Sequence, residues 1–299
     1  YLTRMNKDIT LIFVIYKSGD VFFENIKQLN NFNKIVIDND PNSNLEDKIK
    51  KIDSTVDYTR LDKNIGMAKG ANLGFNKVKT DFFLYLTADT IIDETNINNL
   101  LKIFSKYNSI GLSCPIHLSS NSSYTGNYSC HPKFRFLKRN YFEKSIYKSL
   151  SKVLPVGDFS VNSVWGAPIL LRTSLIKKIG FFDNNFFMYF EDIDLCDRIK
   201  EAGFEIIETP SSFCHHHKGS SNTKSFNSSY IAISSFKFSE IYYFSKFGYK
   251  YTMRIYLHTF DYFLRIFSNI LLFNKNKIFT NTFRLIGILR FVFYKKKSK

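Results

Sequence analysis

Three short apolar runs set the terms for this chain: Ile9-Thr-Leu-Ile-Phe-Val-Ile-Tyr16, Lys34-Ile-Val-Ile-Asp38 and Phe82-Phe-Leu-Tyr-Leu86. None alternates apolar with polar residues, so each predicts a strand covered on both faces. Segments of helical spacing separate them. Phe22, Phe23, Ile26 and Leu29 mark the first, Leu45–Ile52 a charged second, and Asn64–Val78 a glycine-rich loop opening a third. A further short strand is predicted near Val56–Arg60. Buried strands alternating with helices call for an α/β fold, a largely parallel sheet with helices on both faces. Ligands of such sheets bind outside the carboxyl ends of the strands. Asp38 and Asp89 both fall at such ends.

The chain carries 42 Lys+Arg against 26 Asp+Glu, a formal charge of +16. Its 44% hydrophobic content excludes general disorder, and the surplus charge asks for an anionic partner. That surplus is uneven. Residues 230–299 hold 13 Lys+Arg against only Glu240 and Asp261, together with 20 of the 51 aromatic residues, which leaves the rest at +5. The composition therefore divides the chain at Tyr230, into a domain of residues 1–229 and a basic, aromatic, helical extension of residues 230–299. In the extension, cations interleave with bulky apolar residues that need burial in lipid or protein. That favours an anionic membrane surface over nucleic acid. A helical hairpin packed on the rest, with a solvated basic face, is the plainer alternative. With no uninterrupted apolar span of about 18 residues, no membrane-crossing helix is expected.

Arg4, Lys7 and Asp8 interrupt the opening, so no secretory leader is expected. Four cysteines without a CxxC pair read as the reduced thiols of a cytosolic protein. Cys114-x-x-His117 with Cys130-His131 loosely mimics a zinc site, but its spacing fits no standard ligand pattern.

Five segments carry candidate chemistry. Asp38-Asn39 could hold a base or ribose, or be an ordinary turn pair. Asn64-Ile-Gly66-Met-Ala68-Lys-Gly70-Ala-Asn72-Leu-Gly74 sets small residues before a helix, which permits close approach of a phosphate or tight packing on the sheet. Asp89 could hold a divalent cation bridging a diphosphate, or cap the helix around Asn96–Phe104. Glu191, Asp192 and Asp194 crowd the first turn of a helix whose apolar face is Leu195, Ile199 and Ala202, just after the aromatic run Phe186–Phe190. Acids there complement the helix dipole, which should also keep one ionised as a general base must be. Finally, His215-His216-His217 sits between Pro210 and Gly219-Ser220-Ser221, a setting for metal or phosphate contact.

Taken in this order, and with Trp165-Gly166-Ala167 and Gly180-Phe-Phe-Asp183 between them, these segments resemble the family 2 glycosyltransferases over about residues 8–225, particularly the bacterial rhamnosyltransferase-like branch. The resemblance implies a GT-A fold, a nucleotide-diphosphate sugar as donor, Mg²⁺ or Mn²⁺, and inversion at the anomeric carbon. It also implies a role for each matching position. Asp192, beside Glu191, is the catalytic base of the Glu-Asp pair. Tyr16, Asp38, Asn64, Gly66 and Asn72 line the nucleotide pocket, and Trp165 and Gly166 floor the acceptor side. Asp89 matches the last Asp of the metal-binding D-x-D, and His216, flanked by His215 and His217, the metal or diphosphate histidine. Thr87 replaces the first Asp of D-x-D, and Lys17 stands where the family carries Asn. The implied acceptor is a glycan or a polyprenyl-diphosphate-linked sugar used in bacterial surface polysaccharide synthesis. The implied place is the cytoplasmic face of the cell membrane, reached through residues 230–299. A sugar nucleotidyltransferase would instead want a Gly-rich, Arg-containing loop after the first strand, and Tyr16-Lys17-Ser18-Gly19-Asp20 offers none. A non-catalytic nucleic-acid or membrane binder is the alternative from another class.

Overall fold

A computed structural model of the chain describes residues 9–118, 124, 156–164, 166–216, 225–246 and 252–297, with the backbone alone at His216 and residues 252–254. The first apolar run forms β1 (Ile9–Ile15), buried at all seven positions. Its odd residues Ile9, Leu11, Phe13 and Ile15 join one core with Phe22 and Ile26 of α1 (Asp20–Gln28) and Ile97, Leu100 and Phe104 of α4 (Glu94–Lys106). Its even residues Ile12 and Val14 meet α3 (Met67–Phe75) on the other side. Both faces are thus covered, which is why the run lacks polar alternation.

β2 (Asn33–Asp38), α2 (Glu46–Ile52), β3 (Asp57–Arg60), β4 (Phe82–Thr87) and β5 (Thr90–Ile91) complete the first half. β6 (Ile110–Leu118), β7 (Phe159–Ser160), β8 (Ile169–Arg172), α5 (Thr173–Ile179), α6 (Glu191–Glu201) and β9 (Glu205–His216) follow. The sheet runs in the order β3-β2-β1-β4-β8-β6-β9-β5, with β7 also paired to β9. β1, β2, β3 and β4 are parallel. The sheet as a whole is mixed rather than largely parallel, because β8 runs antiparallel to both β4 and β6, and β5 and β7 run antiparallel to β9. An apolar run buried on both faces reads the same in either direction, so the sequence carried no sign of that reversal.

Packing divides the described residues into two units, one running to Asn184 and resuming at Asp192, the other made of Asn185–Glu191 and the helices after residue 225. The second unit contains α7 (Phe226–Lys246), α8 (Thr252–Leu271) and α9 (Lys275–Lys297). Asn185 donates to the Tyr242 hydroxyl at 3.0 Å, and the Ser239 hydroxyl donates to the Met188 carbonyl at 2.9 Å. Phe190 packs on Tyr243 with ring centroids 5.5 Å apart. The aromatic run before Asp192 is therefore held by α7.

Candidate active site

The carboxyl ends of β1, β2 and β4 lie side by side, as the parallel register demands. At the end of β2, Asp38 is fully buried and accepts from the Asp40 amide at 2.9 Å and the Tyr58 hydroxyl at 2.8 Å. Burial first, and the bond to Asp38 besides, push the Tyr58 phenol up to about 12. Tyr58 therefore stays a proton donor that fixes the carboxylate. Neighbouring Asn39 works on the next loop: its Oδ1 accepts from Ile65 N and its Nδ2 donates to the Gly66 carbonyl, both at 3.2 Å. Asn64 closes that loop by accepting from Gly66 N at 2.9 Å. Gly66 itself has φ +87°, a conformation costly for any residue with a Cβ.

Gly70 and Gly74 serve packing. A Cβ on Gly70 would stand 2.9 Å from Val14 Cγ1, and one on Gly74 2.6 Å from Ile12 Cγ2, so α3 lies against β1 only because both lack side chains. Asn72 is a clamp between distant segments. Its Nδ2 donates to the Phe182 carbonyl at 2.7 Å and to Asn184 Oδ1 at 2.8 Å, and its Oδ1 accepts from Phe182 N at 3.0 Å. Tyr16, half-buried, directly follows β1, with Lys17 Nζ 5.4 Å from its ring centroid.

Asp89 occupies the turn between β4 and β5 and is half-buried. It does not cap α4: Asp93 does, accepting from Asn96 N at 2.8 Å. Thr87, the residue that departs from the D-x-D pattern, has its hydroxyl 3.1 Å from that of Thr90, closing the same turn. Buried Asn25 donates to the Thr90 carbonyl from the other side. β5 then pairs with the end of β9, Thr90 opposite His216 and Ile91 opposite His215. The sheet thus brings His216 to a position beside the Asp89 turn, although the two are far apart in sequence. Trp165 and His217 lie outside the described residues.

Asp192 stands in the first turn of α6. Its Oδ2 accepts from Gly166 N at 2.6 Å and its Oδ1 from Ile193 N at 2.8 Å. Gly166 reaches it with φ +71°. Burial raises the Asp192 carboxyl above the ordinary aspartate value of 3.8, and the amides of Gly166 and Ile193 oppose that rise only in part. The helix terminus therefore supplies donors, yet desolvation wins over them. Just before the Glu191-Asp192 pair, Tyr189 and Phe190 both have φ +69°. Two successive bulky residues in the left-handed region cost about 1–3 kcal/mol each, strain of the kind that collects at functional sites.

The third acid, Asp194, has a different job. Its buried carboxylate accepts from Arg198 Nε at 2.9 Å. The Arg198 guanidinium in turn donates to the carbonyls of Ile179 at 3.0 Å, Gly180 at 2.6 Å and Phe181. Arg198 was not among the expected site residues. Its spacing of four from Asp194 was the visible signal, a pair that meets on one helix face.

Among the described residues, no three His, Cys, Asp or Glu side chains converge as a metal site. Cys114, Cys196 and Cys214 are buried free thiols whose pKa values burial drives upward, so they are poor nucleophiles.

Residues 20–164 match the family model described as Glycosyl transferase family 2. This chain carries a family 2 glycosyltransferase domain. The match includes Asp38, Asn64, Gly66, Asn72 and Asp89, while Tyr16, Trp165, Gly166, Glu191, Asp192 and His216 lie beyond it. A 67-residue stretch is 42% identical to the N-acetylglucosaminyl-diphospho-decaprenol L-rhamnosyltransferase of Mycobacterium tuberculosis, covering 22% of this chain and 20% of the relative. The low-salt glycan biosynthesis hexosyltransferase Agl10 of Haloferax volcanii is 24% identical over 238 residues, covering 76% of this chain and 72% of that one. Among solved structures, GalNAc-T7 with UDP, GalNAc and Mn²⁺ superposes with a TM-score of 0.52 at 14% identity, covering 70% of this chain and 42% of the other. The family 2 domain therefore has the GT-A fold, a central mixed sheet flanked by helices, with further helices at its C-terminal side. The chain spans only a fifth of the length of the mycobacterial relative.

Proposed function

We propose that this protein is an inverting glycosyltransferase, moving a sugar from a nucleotide-diphosphate donor to a glycan or polyprenyl-diphosphate-linked acceptor. The observation that carries the reading is the pairing of two arrangements. One is a carboxylate, Asp192, raised by burial and oriented by the Gly166 amide at 2.6 Å. The other is the Asp89 turn, with His216 brought beside it by the β5–β9 register. The relatives' names support transfer onto lipid-linked or polymeric glycans, and L-rhamnose is the first sugar to test because the mycobacterial relative is named for it.

In the proposed single displacement, Asp192 takes the proton of an acceptor hydroxyl as that oxygen attacks the anomeric carbon. Gly166 and Ile193 hold the carboxylate in place while it does so. The C–O bond to the nucleoside diphosphate breaks as the new glycosidic bond forms. Asp89, with His216 beside its turn, would hold the cation: a carboxylate suits Mg²⁺ and Mn²⁺ alike, and an imidazole suits Mn²⁺ better than Mg²⁺. A cation bound there supplies neutralisation of the charge on the departing diphosphate. The rigid loop from Asn64 to Gly66, stitched to Asn39, would position the nucleotide.

Asp89→Ala is the direct test of the cation half of this reading. Donor affinity measured by calorimetry should lose its dependence on Mn²⁺ or Mg²⁺, and transfer should fall roughly 10²-fold or more, the several kcal/mol a metal provides. Unchanged metal-dependent binding in that variant would remove Asp89 from the site. We also propose that residues 230–299 attach the protein to the inner face of the cell membrane. No helix among the described residues is long and apolar enough to cross a membrane.

A further inference from the structure

The helix α8 turns its most apolar side away from the rest of its own unit. Tyr256, Phe260, Phe263, Phe267, Ile270 and Leu271 recur at helical spacing along one side, and each is more than half exposed. The opposite side of α8 is the packed one: Tyr262 is buried, with Arg284 of α9 and Lys237 of α7 each 5.6 Å from its ring centroid. α8 therefore buries a narrow stripe and leaves a broad aromatic one open, the reverse of an ordinary surface helix. The turn into α9 continues the stripe with Leu272 and Phe273, the latter 90% exposed. Exposed Lys275 and Lys277 follow at once, and exposed Lys295, Lys296 and Lys297 stand at the far end of α9.

Charge decides what covers this stripe. Residues 252–297 carry nine Lys and Arg against the single acid Asp261, and Asp261 is already paired to Arg265 at 2.7 Å. A second copy would bring cations against cations, whereas an anionic bilayer brings the opposite sign. With 20 residues, α8 is about 30 Å long and suits a position lying in the membrane plane.

We infer that α8 and the turn Leu272-Phe273 form a monotopic membrane-docking surface. Its aromatic stripe enters the headgroup–acyl boundary of an anionic bilayer, and the lysines at both ends of α9 rest on the headgroups. This deepens the membrane half of the function proposed above, naming the element that makes contact, and is independent of the donor chemistry.

The test is co-sedimentation of the full chain with phosphatidylcholine–phosphatidylglycerol vesicles and with phosphatidylcholine alone, for the wild type and the double variant Phe263→Ser/Phe267→Ser. Both positions are exposed, so circular dichroism and donor binding should not change. The wild type should prefer the anionic vesicles and release them as salt rises, and the variant should bind roughly tenfold or more weakly. If the variant binds as the wild type does, the inference falls while membrane attachment through another part of residues 230–299 stands. If the wild type binds no vesicle, both fall. If the two substitutions instead turn a dimer into a monomer, a second copy covers the stripe and the inference is overturned.

Discussion

Replacing Asp192 with Asn should lower transfer by roughly 10²–10⁴-fold while leaving donor affinity within a few-fold of the wild type, the signature of a lost general base. An amide occupies the same space and still offers an oxygen to the Gly166 or Ile193 amide, so the loop should keep its shape. What it cannot do is accept the acceptor's proton. The pH dependence follows from the direction of the shift. Burial raises the Asp192 carboxyl, so it ionises only above the usual aspartate range, and activity should fall as pH drops through that raised value. The acidic limb of kcat/KM therefore lies above the limb of an exposed aspartate, and it disappears in Asp192→Asn. Stability runs the other way. A carboxyl whose folded pKa is raised binds its proton more tightly in the folded chain, so ionising it at neutral pH disfavours folding. Asp192→Asn should thus melt no lower than the wild type near pH 7, which separates a catalytic loss from a folding loss.

Arg198→Ala should produce the largest loss of stability. The substitution removes an ion partner of Asp194, whose side chain is 1% exposed, and releases the carbonyls of Ile179, Gly180 and Phe181. Breaking a buried pair by deleting one member costs about 3–5 kcal/mol. In a domain of this size that lowers Tm by roughly 6 °C or more. Much of this is the penalty of a buried charge, so Arg198→Met/Asp194→Leu should recover a large part of it. Thermal melts of both variants check the point; equal melting of the single and double variants would show that the lost carbonyl contacts, not the lost ion pair, dominate. The same contacts hold the Gly180-Phe181-Phe182 segment, whose Phe182 backbone is clamped by Asn72. Activity should therefore fall along with stability.

The sequence made the strands legible because β1, β2 and β4 are buried on both faces and show it as unbroken apolar runs. Strand direction left no trace, so the antiparallel β8 appeared only in the fold. Among the candidate residues, Asp38, Asn64 and Asp192 stood out in the sequence by their places at a strand end, a glycine turn and a helix start. Which acid does what was not legible: Asp93 rather than Asp89 caps α4, and Asp194 holds Arg198. Such assignments depend on backbone amides and partners brought in from elsewhere. The clamp from Asn72 to Phe182 and the seating of Asn185–Glu191 on α7 are contacts of this kind, linking segments that no local pattern relates. They also mean that removing residues 230–299 strips the support of the aromatic run before Asp192.

Donor binding is the most direct test of transfer from a nucleotide sugar. Calorimetry of the full chain against a panel of nucleotide-diphosphate sugars that includes dTDP-rhamnose, each with and without Mn²⁺, is the measurement. At least one donor should bind, the cation should tighten it, and acceptor-dependent release of the nucleoside diphosphate should follow. Binding of no donor under either condition would contradict this, leaving a family 2 fold without the chemistry proposed for Asp192 and Asp89.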